Sequence, residues 1–339
     1  MTRRVGVVLA CLLAWTTAIP TVAHAGVAAD PRLPLSGFGA ILVDQAHGHV
    51  FLSGGPSARA VLVTDLRGRL VGRIDDEPGA AGLALSADAR TLYAALSTGD
   101  AIAAIDTASL AETARYRTPA GTCPSSLTRT GGYLWFGYGC PDGEQSGLGR
   151  VDTTSAPVGV RLDQADTQFH GAPLVASGPA EAGPLVVAQP HASASMTVVY
   201  AVRQGVLDPG ASGVMGGGDL ADLALSPDTA LVCTAAASRT RVEAFATADL
   251  SQRGAYPLDH AAAAVALSPD GRLLAAATSA STRQVWLFRL GASTPDRVFD
   301  LAGETVPAGG LAWTSDARTL FAVTQRSPDA APSLHVLPG

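Results

Sequence analysis

Short apolar runs alternate with turn-forming clusters along most of the chain. In VALSPDGRLLAAATS (265–279) two such runs flank Pro-Asp-Gly. Proline presets φ at the second position of a turn, aspartate favours the turn, and glycine takes positive φ. Apolar runs this short, with turn signals every 8–12 residues, predict strands and are too brief for helices. A third strand follows in each unit, as in AIAAIDTASL (101–110), RVEAFATADL (241–250) and QVWLFRL (284–290). A more polar fourth comes next, as in AETARYRT (111–118) and PDRVFDL (295–301).

The phrase recurs. LALSADARTLYAA (83–95), LALSPDTALVCTA (223–235), VALSPDGRLLAAA (265–277) and LAWTSDARTLFAV (311–323) are the clear copies. ILVDQAHGHVFLS (41–53), SLTRTGGYLWFGYG (126–139) and LVASGPAEAGPLVVAQ (174–189) are weaker ones. Anchored on the last residue before the turn, the copies fall at Asp44, Ser86, Thr128, Ser177, Ser226, Ser268 and Thr314, with spacings of 42, 42, 49, 49, 42 and 46. Seven units of this length match the four-strand blade of a β-propeller. The expected fold is therefore all-β, a seven-bladed β-propeller forming one domain over residues 26–339.

The seventh unit has LAWTSDARTLFAVTQ and PSLHVLPG but no fourth strand. At the other end, DPRLPLSGFGAI (30–41) resembles PDRVFDLAG of the sixth unit. Residues 29–36 are therefore expected to supply the outer strand of blade seven. That N-terminal strand would close the ring and cover sheet edges that an open array would expose.

The first 25 residues carry Arg3 and Arg4, an apolar run from Val5 to Ile19, and Ala23-His24-Ala25. This is the anatomy of a Sec signal peptide, with cleavage expected after Ala25. A membrane anchor is the competing reading, but the run is shorter than the roughly 18–20 apolar residues that span a bilayer. Lipidation of Cys11 would leave almost no apolar run before it. Processing would leave 314 residues with 21 basic and 29 acidic side chains, a net charge of −8. That balance argues against nucleic acid or an anionic membrane as partner. Lysine and asparagine are absent throughout. No Schiff-base lysine, P-loop lysine or N-glycosylation site exists in consequence.

The repeated L-S-P-D-G-R-x-L phrase, with A-I-D-T-A-S-L after it, resembles the YVTN-type propeller repeats, relatives of WD-repeat blades. GFGAILVDQAHGHVFLSGG, GLALSADARTLYAALSTGDAIAAIDTASLAETARY and GGYLWFGYG are similar to a group of secreted actinobacterial propeller proteins with no established activity. The resemblance implies an exported, surface or extracellular propeller. It implies little about chemistry, because the shared residues are turn and packing residues.

Candidate chemistry is sparse. Cys123 and Cys140 bracket a hairpin whose turn centres on Gly131-Gly132, a strong two-residue turn signal. That register places the cysteines opposite one another in a non-hydrogen-bonded pair, within disulfide reach. Two unpaired thiols, or a zinc pair lacking partners, are the alternatives. Cys233, in LVCTAAA, reads as a buried small apolar residue. His47 and His49 form an H-x-H pair without an evident third ligand. Asp75, Asp76 and Glu77 follow the outer strand of blade one, and His170 and His260 those of blades three and five. They mark the face where propellers often bind ligands, although solvated loop residues are the plainer reading of each. Gly-x-Ser-x-Gly, His-Glu-x-x-His and Cys-x-x-Cys are missing. No catalytic set, metal site or cofactor is expected.

The sequence thus points to a non-catalytic binding or scaffold module outside the cell or at its envelope. It would act as a monomer on an extracellular protein or glycan. The alternative is a lactonase- or lyase-type propeller enzyme working from the central funnel. That alternative requires several carboxylates and histidines at one mouth of the channel.

Overall fold

The computed structural model describes residues 24–26 and 32–339, apart from 144, 180, 181 and 302. Seven sheets of antiparallel strands follow one another along the chain, each running from an innermost to an outermost strand, and one of them gains a parallel strand at its outer edge. Blade one holds Ala40–Asp44, His49–Ser53, Ala60–Asp65 and Leu70–Asp75. Blade two holds Ala80–Leu85, Thr91–Leu96, Ala101–Asp106 and Glu112–Arg117. Blade three holds Pro124–Thr130, Tyr133–Gly139, Ser146–Asp152 and Gly159–Arg161. Leu174–Ser177, Leu185–Ala188, Met196–Arg203 and Val206–Val214 build blade four. Leu220–Leu225, Leu231–Ala236, Arg241–Ala246 and Gln252–Pro257 build blade five. Blade six is Ala262–Leu267, Leu273–Thr278, Val285–Arg289 and Pro295–Asp300, and blade seven is Leu311–Trp313, Thr319–Thr324 and Ser333–Pro338. The fold is the seven-bladed β-propeller expected from the repeat.

The repeated phrase is turn chemistry. In blade six the Ser268 hydroxyl donates to Asp270 Oδ1 at 2.6 Å and accepts the Leu273 amide at 2.9 Å. Asp270 Oδ1 also accepts the Arg272 amide at 3.1 Å. Blades two, five and seven repeat the arrangement with Ser86–Asp88, Ser226–Asp228 and Thr314–Asp316, at 2.6, 2.5 and 2.7 Å. These bonds satisfy amides that the hairpin ladder leaves unpaired, which is why serine or threonine stands two residues before aspartate.

The core explains the near-continuous apolar runs. The middle strands are covered on both faces, so neither face needs polar residues. In blade one Val61 and Val63 face blade two, while Leu62 lies with Val50 and Leu52 against blade seven. Seven apolar clusters fill the seven junctions between neighbouring blades. One of them joins blade seven to blade one, through Phe321, Val323 and Leu334 against Val50, Leu52 and Leu62. The innermost strands of blades one and seven also meet. The ring is therefore closed by packing.

Leu33 and Leu35 are buried in that same closing cluster. The Leu33 amide donates to the Pro332 carbonyl at 2.8 Å. Arg32 reaches Glu304 at 2.9 Å, and Arg326 meets the same carboxylate at 3.1 Å. Residues 32–36 thus lie at the seven–one junction, as anticipated, but as an irregular segment; blade seven has three strands among the described residues. Residues 29–31 of the expected strand, and residues 1–23 of the expected signal peptide, lie outside the described residues. The His24–Gly26 backbone pairs in parallel with Val298–Asp300 of blade six. Among the described residues no helix is long and apolar enough to cross a membrane.

Candidate functional site

Alternation of strand direction gives the ring two unlike faces. The hairpin turns after each first and third strand form one, here the turn face. The links from each outer strand to the next blade share the other, the connection face, with the turns after each second strand. The turn face is built from repeated short motifs. The connection face is where the units differ.

The longest link on the connection face is residues 162–173, between blades three and four. It is held at many points. The Gln164 amide donates to Leu148 O at 2.9 Å. Tyr138 donates its hydroxyl to Asp163 Oδ1 at 2.5 Å, and burial together with this bond pushes the phenol up to about 12. Thr167 meets the Tyr200 hydroxyl at 3.2 Å. Ser146 Oγ donates to Phe169 O at 2.5 Å and accepts the Gly171 amide at 3.2 Å. The His170 amide donates to Gln189 Oε1 at 2.6 Å, and Gln189 Nε2 returns a bond to His170 O at 2.8 Å. Gln189 is buried, although His170 itself is exposed.

Two clefts flank this link and share Ser146, Phe169 and His170. One, of about 530 Å³, runs between Cys140, Pro141 and Gly143 on one side and Pro190 and His191 on the other. The second, of about 580 Å³, is lined by Gln145, Asp163, Asp166, Thr167 and Gln168. His191 adds an imidazole to the first cleft and pairs with Asp219 at 3.2 Å.

The disulfide borders the first cleft. Cys123 and Cys140 are bonded, with Cα atoms 5.1 Å apart. The Gly131-Gly132 turn has the expected register as far as Ser126↔Gly137. The register then shifts, pairing Pro124 with Tyr138, so the two cysteines lie just beyond the strands and are not a ladder pair. Cys233 is free and fully buried, and burial pushes its thiol up to about 12.

The remaining acids and histidines lie over separate junctions. Asp75 bonds Arg73 at 2.6 Å on the surface. Asp76 has φ of 63° and gives its carbonyl to Arg115. Glu77 is not a solvated loop acid: its side chain is fully buried, 3.3 Å from Arg115. Burial pushes its carboxyl up to about 7, with Arg115 pulling the other way. His260 bonds Asp259 at 3.1 Å, and Asp259 also holds Arg283 at 2.8 Å. His47 lies 2.7 Å from buried Asp44 within its turn. No group of three or more His, Cys, Asp or Glu with metal-binding geometry occurs among the described residues.

A cavity of about 300 Å³ opens the central channel at the same face. Its lining comes from the starts of the innermost strands and includes Ala40, Gly82, Ser126, Leu174, Asp222 and Gly309. None of Asp75, His170 or His260 is part of it. Asp222 was not singled out in the sequence, although an aligned comparison exposes it. Four residues before the anchor, blades two and six have Gly82 and Ala264 where blade five has a carboxylate. The 49-residue spacing from Thr128 to Ser177 is the visible trace of the 162–173 link.

No protein-family model and no curated protein matches the sequence. Solved structures do match the fold. Hydrazine synthase of Kuenenia stuttgartiensis superposes with a TM-score of 0.68 at 15% identity, over 91% of this chain and 97% of that one. The β-propeller domain of Cps50 (Swd1) of Myceliophteria thermophila gives 0.69 at 11% identity, over 91% and 98%. At these identities the likeness is one of fold.

Proposed function

We propose that this protein is an exported, non-catalytic binding module that recognises a ligand with the connection face of its propeller. The observation that carries this reading is the 162–173 link. It is the longest connection and one of the most heavily bonded, and it separates two adjoining clefts. A long loop held in one conformation loses little entropy on binding, so its contacts count more fully toward affinity. The leader-like residues 1–25 and the likeness to YVTN-type repeats support export and placement at the envelope or outside the cell.

The ligand is an extracellular protein or a glycan, and the lining favours the glycan. Asp163, Asp166, Gln145, Gln168, His170 and His191 supply planar polar groups of the kind that bond paired hydroxyls. The competing funnel-enzyme reading expects Asp75, His170 and His260 at one mouth, whereas they stand over three different blade junctions.

The test is a screen of the processed protein against immobilised bacterial-surface and host oligosaccharides, with wild type and Gln189→Ala in parallel. Retention of a glycan by wild type, weakened about tenfold when the pair of Gln189 bonds is removed, is the expected outcome. Equal retention by both proteins, or none by wild type, contradicts the reading.

A further inference from the structure

The central cavity has a different character from the clefts. It is lined mainly by Ala, Gly and Leu side chains, including Leu83, Leu127 and Leu174, with Ser125 and Ser126. Asp222 is its one charged residue. The carboxylate ties three blades together. Oδ1 accepts the Leu223 amide at 2.9 Å within blade five, and Oδ2 accepts the Val265 amide of blade six at 2.9 Å. The Gly309 amide, from the link into blade seven, is the third donor. Blade three makes the corresponding tie with a neutral group, Ser126 Oγ accepting the Val175 amide at 2.8 Å. A hydroxyl therefore suffices for the structural task. The carboxylate adds a negative charge to an apolar funnel that no arginine lines.

Three amide donors leave acceptor capacity on a carboxylate, which offers about four lone-pair positions. Metal ions are poorly served here. Calcium takes six to eight oxygen ligands and magnesium a near-ideal octahedron, usually with more than one carboxylate or phosphate. An ammonium group needs only one good acceptor and tolerates an aliphatic body beside it. We propose that the funnel is a second binding site, which takes a small aliphatic primary amine with its ammonium group on Asp222 and its hydrocarbon against Leu83, Leu127 and Leu174. The volume lies at the lower end of small-molecule sites, about 300–1,000 Å³. Burial also pushes the Asp222 carboxyl up to about 6, against the pull of its three amide donors. A bound cation offsets that cost of burial.

The experiment is calorimetric or NMR titration of the processed protein at pH 8 with n-butylammonium chloride, with 1-butanol and calcium chloride as controls. Saturable binding of butylammonium at about millimolar strength is expected. 1-Butanol should bind at least about tenfold more weakly. Asp222→Asn should lose the same factor. Ala308→Phe, at an exposed position on the rim, should also lose binding while leaving the carboxylate untouched, and it serves as the test if the first variant does not fold. Equal affinity for amine and alcohol, unchanged affinity in a folded variant, or no saturable binding overturns the proposal. So does calcium competing at equal or lower concentration, which would make this a metal site. The funnel shares no lining residue with the two clefts, so failure here leaves the glycan reading standing.

Discussion

Cys123 and Cys140 are joined just past the point where the blade-three hairpin shifts register, and Cys140 forms part of a cleft wall. The bond therefore closes a hairpin at its open end, beside the 162–173 link, and joins residues 17 apart in sequence.

Replacing both cysteines by serine should cost about 3 kcal/mol in the chain-entropy model for a loop of this length. The fold should survive, because the clusters at the other junctions are untouched. Urea unfolding of the oxidised wild type and the double variant gives the difference. An unchanged midpoint would show that the bridge does not constrain the unfolded chain.

Cys233 should behave in the opposite way. Its thiol is fully buried between blades five and six and held far above the ordinary cysteine value. Iodoacetamide at pH 8 should leave it unmodified in the native protein and modify it stoichiometrically in guanidinium, as read by intact mass. Rapid native labelling would place it at the surface.

Much of this was legible in the sequence. The Ser/Thr-x-Asp phrase announced itself because the same three hydrogen bonds close the first hairpin of blades two, five, six and seven, so local chemistry repeats where geometry repeats. Blade four was faint because Ser177-Gly178-Pro179 lacks the aspartate that its counterparts use. The register set by Gly131-Gly132 brings the two cysteines together, and although the hairpin leaves that register beyond the Ser126–Gly137 pair, cysteines one step out of register remain within reach. Asp222 and the bonds of Gln189 are different. Asp222 ties blade five to blade six, and Gln189 ties blade four to the link before it, and their partners are backbone groups that carry no signature in sequence. The burial of Glu77 was hidden for the same reason, since Arg115 comes from the next blade.

The repeated turn bonds should be measurable. Ser226→Ala and Asp228→Ala should each cost about 1 kcal/mol. The double variant should cost clearly less than their sum, because each removes the same 2.5 Å bond. Additive losses in a double-mutant cycle would mean that the hydroxyl and carboxylate act independently.

Stability should also depend on pH in a defined sense. Burial raises Glu77 from 4.5 to about 7 and Asp222 from 3.8 to about 6. The folded chain therefore holds these protons more tightly than the unfolded chain. Their contribution is fully present below the unfolded values and is lost as pH rises through the folded ones. Between about pH 5 and 7, unfolding free energy should fall as pH rises. Glu77→Gln, which keeps an acceptor for Arg115, should reduce that slope and stabilise the protein at pH 8 relative to wild type. A slope unchanged by the substitution would assign the effect elsewhere.

The central claim is that ligand is recognised by the preformed connection face around the 162–173 link. Hydrogen exchange of the protein alone and with a glycan retained in the screen tests it most directly. Slow exchange is expected at the Gln164 and His170 amides in the free protein, whose acceptors are Leu148 O and Gln189 Oε1. Added protection on binding is expected to be confined to residues 139–147, 162–173 and 189–195. Fast exchange of those amides in the free protein, or new protection concentrated on the turn face, would contradict it.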